Sequence, residues 1–343
     1  MTVADAVAVA LWVGVTLYSV FGGADFGTGL WDLTAGDPVR GRPVRDLIDQ
    51  AIGPVWEANH VWLIFCLVVL WSGFPIAFAS IASTLYFPLS LAALGIVLRG
   101  AGFAFRKATV ASRSRRAFGT LFAVSSILTP FFLGSVLGGI ASGRVTANRT
   151  GDLVTSWVNP TSALIGVLAV TICAYLAAVF LTIDAHRLGQ TDLSRAFRSR
   201  ALGAAIVAGV VAIAGIFVLR ADAPDLYLGL THEGLPFVAA SVVCGAVVIG
   251  LLARGARFGS RLLAVGAVAA VVWGWGIAQY PFLLPRTLTI AHGAAPGATL
   301  DAILIVVGIA LAVVGPSLTL LFLLVQGDRL GAGASGARQA PDT

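Results

Sequence analysis

The sequence predicts an all-α membrane protein with about nine transmembrane helices. Three observations lead there. Hydrophobic residues fill 58% of the 343 positions and charged residues only 11%, with a mean hydropathy of +0.94. A soluble domain carries about 25% charged residues. Apolar runs of about 20 residues, enough to cross a hydrocarbon core of about 30 Å, occupy nearly the whole chain and leave no room for a soluble domain. The basic residues cluster between those runs, so the net charge of +6 speaks of membrane topology and not of nucleic acid.

The spans are expected at 6–33, 52–72, 75–104, 117–141, 160–184, 201–221, 235–253, 262–285 and 300–326. The first is expected to be kept as a helix: the N-terminus lacks the basic region of a signal peptide, and Asp5 is its only charge. Its Gly22, Gly23, Gly27 and Gly29 suit close helix approach in lipid. The 54 residues from 51 to 104 would make one helix about 80 Å long, so the chain must fold back, with Ser72-Gly73-Phe74-Pro75 as the turn. Pro88, Pro130 and Pro316 read as mild kinks. Trp273, Trp275 and Tyr280 suit an outer-interface belt, and Pro281 and Pro285 end the eighth helix. Cys66, Cys173 and Cys244 lie far apart in apolar runs and read as packing residues, since no metal spacing links them. Residues 1–326 form a single transmembrane domain. The tail 327–343 is small and polar and reads as disordered.

Orientation follows from the basic residues. Connections after spans 1, 3, 5 and 7, with the tail, hold 17 of the 22 lysines and arginines; the opposite side has Arg144, Arg149, Arg220 and Arg286. Positive-inside bias puts the N-terminus outside and the C-terminus in the cytoplasm, which an odd number of spans permits.

Charges inside the runs are the lead to function. From Val61 to Phe105 the only charged side chain is Arg99, and Glu57 and His60 stand in the run just before it. Such groups at membrane depth cost roughly 2.5–3.5 kcal/mol each on insertion scales. Helical rise puts Glu57, His60, Asp25 and Arg99 about 9 to 13 Å in from the cytoplasmic side, and Glu57 and His60, at i and i+3, share a face. Asp32 sits near the mouth of the first helix. One reading is a buried ion pair of Arg99 with Asp25 or Glu57 that locks helices together. Another is a proton route from the cytoplasm, carried by Glu57 and Asp25. A metal site would need four ligands that this spacing does not supply. Trp56 and Trp71 suit anchoring and packing; Trp62, deeper, could also line a hydrophobic passage. Haem ligation has little to use: Met1 is the only methionine, and His60 with His186 is the only internal histidine pair.

Several segments closely resemble subunit II of the cytochrome bd quinol oxidases. They are GGADFGTGLWDL at 22–33, IGPVWEANHVWLI at 52–64, LRGAGFAFR at 98–106 and GWGIAQYPFLLPRTLTIAHGAAPGATL at 274–300. The EANH form looks like the branch that includes cyanide-insensitive oxidases. The resemblance implies two four-helix bundles plus one peripheral helix. It implies a heterodimer with a subunit I that binds two b-type haems and a d-type (or third b-type) haem and carries the quinol site. This chain would bind no haem or metal; a structural quinone occurs in some relatives. Residue by residue, Glu57 matches the family's acid on the proton route, Asp25 the acid of the first helix, Arg99 the arginine ending the third, and Trp62 a tryptophan near the oxygen passage. Some relatives have an acid where Ala104 stands, so a route here would use water or Glu57 in its place. The expectation is a subunit II in the bacterial cytoplasmic membrane. The alternative is a stand-alone proton-coupled secondary transporter, although the polar set is offset toward the cytoplasm and no inverted repeat is clear.

Overall fold

The computed structural model describes residues 2–53, 56–109, 112–256 and 259–326; the expected disordered tail at 327–343 and the Trp56 side chain lie outside the described residues. The helices in chain order are α1 (Val3–Leu17), a π-helical turn (Tyr18–Gly22), α2 (Gly23–Leu33), α3 (Arg42–Ile52), α4 (Trp56–Gly73), α5 (Pro75–Thr84) and α6 (Tyr86–Ala108). Then come α7 (Ser112–Ala141), α8 (Pro160–Arg187), α9 (Thr191–Asp222), α10 (Pro224–Thr231), α11 (Leu235–Ala253) and α12 (Ser260–Gln279). A short antiparallel hairpin, β1 (Phe282–Leu284) with β2 (Leu288–Thr289), precedes α13 (Ile290–Gly293) and α14 (Gly297–Gln326). Eight helices of the described residues are long and apolar enough to cross a membrane, and α3 with α4 would make a ninth, bent span.

Local chemistry explains the boundaries. Thr2 and Asp5 form a reciprocal capping box at the start of α1. Asn159 accepts the Ser162 N–H, with Pro160 at the first helical position of α8. The turn expected at 72–75 is present: α4 stops at Gly73, and α5 starts at Pro75. Four expectations are corrected. The third span breaks at Leu85, where Pro88 has no N–H to give the Thr84 carbonyl. The eighth helix ends at Gln279, before Pro281, and residues 280–285 turn into the hairpin. An amphipathic helix, α3, precedes the second span, burying Val44, Leu47, Ile48 and Ile52. Many arginines expected in loops lie on helix ends. Arg195, Arg198 and Arg200 belong to α9, because nothing in that polar stretch stops the helix.

Two apolar cores divide the molecule. One packs α2, α3, α8, α9, α11 and α12 near the arginine-rich end; the other packs α1, α4, α5, α7 and the hairpin at the opposite end. Small residues set the spacing of the first. A Cβ on Gly27 would sit 1.9 Å from the Cys173 carbonyl oxygen of α8, and one on Gly29 2.2 Å from Ser126 of α7. So α2 is wedged between α7 and α8, which fixes where Asp25 points. At the hairpin end, Asp222 accepts from Arg144 (2.6 Å) and from the Thr161 hydroxyl (2.6 Å), joining α9 to the start of α8.

Candidate functional site

The site starts at the π-helical turn. A π turn inserts one residue into the helix and widens it locally, a feature found often at functional positions. Just beyond it, Asp25 is buried in α2, and Arg99 of α6 is 1% exposed. The Arg99 Nη2 donates to Asp25 Oδ1 at 2.7 Å and to the Asp25 carbonyl at 3.4 Å, while its Nε donates to Ser126 Oγ at 3.0 Å. The guanidinium lies 5.1 Å from the Phe26 ring centre and 5.0 Å from that of Phe122. The charges are thus matched and the cation is sandwiched by aromatic rings.

Around this pair the satisfaction is incomplete. Asp25 Oδ2, the Tyr18 hydroxyl and His60 Nδ1 are each shielded from solvent and have no hydrogen-bond partner among the described residues. The Tyr18 and His60 ring centres are 6.3 Å apart, and His60 is 5.8 Å from Phe26. Asn59, itself buried, faces the Asp25 carboxylate. Buried polar atoms without partners are where internal water is held. A phenol, an imidazole and a carboxylate around such water can pass a proton between them.

A second ion cluster lies seven residues along both helices. Arg106 of α6 donates to Asp32 of α2 and to Asp49 of α3, and Arg45 donates to Asp32 at 2.9 Å. Asp25 and Asp32 on α2 thus match Arg99 and Arg106 on α6. Fully buried Phe122 lies between the two cations, 5.0 Å from Arg99 and 4.9 Å from Arg106. In the adjoining loop, the N–H groups of Arg40 and Val39 donate to Asp37 and hold its carboxyl below the ordinary value.

The structure therefore brings Asp25 and Arg99 together and sets His60 beside them. Glu57 is not part of that pair. It lies in the first turn of α4 and is exposed. Sharing a face with His60 did not carry it inward, because the 60° offset between i and i+3 turns it to the flank. Trp62 is half-buried, edge-on to Phe65 at 6.3 Å. Sequence reasoning missed Tyr18, Asn59, Ser126 and Asp49. The first three are unremarkable residue types in apolar runs, and Asp49 reads as an ordinary loop charge. No group of three His, Cys, Asp or Glu residues among those described could hold a metal ion. For haem, His60 faces Tyr18 and Phe26 inside the bundle, whereas His186 is on the exposed last turn of α8. These positions do not suit an axial pair.

Comparison with known proteins agrees with this architecture. The sequence profile of the family described as cytochrome bd terminal oxidase subunit II matches residues 3–325. The cytochrome bd ubiquinol oxidase subunit 2 of Bacillus subtilis (strain 168) is 25% identical over 276 residues, 79% of this chain and 78% of its own length. The cytochrome bd-I ubiquinol oxidase subunit 2 of Escherichia coli (strain K12) is 27% identical over 219 residues, 61% of this chain and 56% of its own. A chain of the bd oxidase from Geobacillus thermodenitrificans superposes with a TM-score of 0.76 at 26% identity, covering 94% of this chain and 98% of that one. These matches favour an oxidase subunit over a stand-alone transporter. With its helices and its profile in agreement over nearly the full length, the chain belongs to the cytochrome bd terminal oxidase subunit II family and is a subunit of a quinol oxidase.

Proposed function

We propose that this chain is the non-haem scaffold and proton conduit of a heterodimer, packed against a subunit I that carries haem b and haem d (or a third haem b). The complex oxidises quinol on the external side, reduces oxygen to water and draws protons from the cytoplasm. A structural quinone is a further expectation that no motif assigns to a position. The basic-residue bias supports an external N-terminus and a cytoplasmic C-terminus in a bacterial cytoplasmic membrane. Two four-helix bundles with one peripheral helix fit the largely exposed apolar surface of α14, including Ile305, Ile309 and Val313.

One observation carries the conduit reading: Tyr18 in the π turn, Asp25 just past it and His60 beside Tyr18 and Phe26 each keep a buried polar atom without a partner among the described residues. The direct line to them from the arginine-rich end is guarded by Arg106, Phe122 and Arg99. The buried Phe122 ring between the two ion-paired guanidiniums offers no hydrogen-bonding group to water on that line. The side of α4 offers instead an exposed acid, Glu57, one helical turn from His60. The route we favour runs Glu57, His60, internal water, Asp25, with Arg99 holding Asp25 in place and no acid required at Ala104. Glu57, open on the isolated chain, meets the partner subunit in the complex. Trp62, a rigid ring on the same helix, suits the oxygen passage.

The test is turnover per haem in purified complex. Glu57→Gln is expected to keep haem content and slow oxygen reduction by about a hundredfold or more, within the usual range for loss of a proton-transfer group. Glu57→Asp should retain more activity than Gln. Normal turnover per haem in Glu57→Gln would overturn the conduit reading.

A further inference from the structure

Ser126 of α7 stands where α2, α6 and α7 meet, and it is 1% exposed. Its hydroxyl donates to the Phe122 carbonyl of its own helix at 2.6 Å, the back-bonding open to a serine inside a helix. The hydroxyl proton is thereby committed, and the oxygen meets Arg99 with lone pairs only. It accepts the Arg99 Nε–H at 3.0 Å. Helix α2 makes the room for it. A Cβ on Gly29 would sit 2.2 Å from Ser126 Cβ and 2.7 Å from its Oγ. Gly29 follows Asp25 by four residues, so one face of α2 presents an acid to Arg99 and, a turn later, a gap to Ser126.

This hydroxyl changes how the ion pair is made. An arginine commonly clamps a carboxylate with two parallel N–H donors. Nε–H and one Nη2–H lie along the same edge of the guanidinium and form such a clamp side-on. In this protein that edge is divided. Nη2 donates to Asp25 Oδ1 at 2.7 Å, while Nε is taken by Ser126. With the Phe26 and Phe122 rings against it, the guanidinium has little freedom to swing. Asp25 is therefore bound through one carboxylate oxygen, and Oδ2 is buried without a partner among the described residues.

We propose that Ser126 is a positioning residue: by occupying Arg99 Nε, it keeps the Arg99–Asp25 pair single-pronged and leaves Asp25 Oδ2 open to internal water. The effect on turnover rests on the proton route proposed above; the effect on the ion pair does not. A two-pronged pair would be the stronger one, and it would close the oxygen at which Asp25 exchanges a proton. Stability and turnover therefore oppose one another at this position, and the serine hydroxyl holds the pair in its weaker, open form.

The experiment replaces Ser126 in the purified, haem-loaded complex. Ser126→Ala removes the acceptor without adding bulk and frees Nε to close on Oδ2. Cryo-electron microscopy of the variant complex reads the pair, its melting temperature reads the strength, and oxygen consumption per haem reads the effect on turnover. The expected result is a two-pronged Arg99–Asp25 pair, a melting temperature at or above that of wild type, and turnover per haem lower by several-fold. A hydroxyl that only joins helices predicts the reverse, a lower melting temperature with unchanged turnover per haem, and that result would overturn the proposal. So would an Asp25 still bound through one oxygen. A two-pronged pair with normal turnover would keep Ser126 as the positioning residue and remove the proton route through Asp25, so the two readings fail separately. Should Ser126→Ala not assemble, Ser126→Cys fills the space with a sulfur that accepts only weakly, and the same results are expected of it. Loss of assembly in both variants would make the hydroxyl a structural bond and overturn the proposal.

Discussion

At the scale of single residues, the Asp25–Arg99 pair separates structure from transport. Both partners are buried, so removing one leaves a bare charge in an apolar bundle, at about 3–5 kcal/mol. Arg99→Leu is expected to lose most assembled complex. Asp25→Asn combined with Arg99→Gln should recover part of it, because a neutral pair leaves no unmatched charge; membrane yield and thermal stability of the complex measure this. An Arg99→Leu protein as stable as wild type would mean that Asp25 is already neutral in the fold. Tyr18 calls for a different variant. Its hydroxyl has no protein partner, so Tyr18→Phe removes no described bond and should leave assembly intact. If that hydroxyl holds water beside Asp25, turnover per haem falls several-fold; unchanged turnover would reduce Tyr18 to a packing residue. Asp25 and Arg99 stood out in the sequence because a charge in an apolar run is costly wherever it lands. Tyr18 did not, since a tyrosine costs little there until its neighbours are known. The outward turn of Glu57 was equally hidden, because it depends on how α4 rotates against α1 and α2.

At the scale of elements, glycine decides which helices touch. The backbone of α2 meets α8 at Gly27, where a Cβ would collide with a carbonyl that cannot move without its helix. Gly27→Ala should therefore force α2 and α8 apart and cost about 1–3 kcal/mol, the usual range for overpacking. Gly209→Ala on α9, with nothing within 4 Å of the new carbon, should cost nothing and can add helix propensity. Melting temperatures of the two variants test the contrast, and equal values would show that α2 does not rely on that contact. Span positions were legible from hydropathy because lipid demands length and apolarity. Span ends were less so. Helix α9 runs ten residues beyond its apolar window at its start, α3 is too polar on one face to register as membrane structure, and the break at Leu85 depends on one missing N–H.

At the scale of the whole molecule, topology is the first thing to measure. A reporter fused after Arg113 is expected in the cytoplasm and one near Arg149 outside, from the 17-to-4 basic bias. The reverse at both sites would invert the depth of every polar group described above. The seven-residue repeat of ion pairs bears on how such a molecule is made. Each acid of α2 is separated from its arginine on α6 by 74 residues of chain. Helix α2 is therefore synthesised before α6: Asp32 meets Arg45 of α3 early, but Asp25 finds its counterion only when the third span arrives. Two matches at one spacing, about 10 Å apart at helical rise, admit a single alignment. If α6 slides by a turn, both bonds are lost together. The pairs work as a two-toothed key that proofreads the first fold-back of the nascent chain. A mis-threaded copy would keep Asp25 and Arg99 unmatched in lipid, a defect large enough for cellular triage to remove it before a partner is engaged.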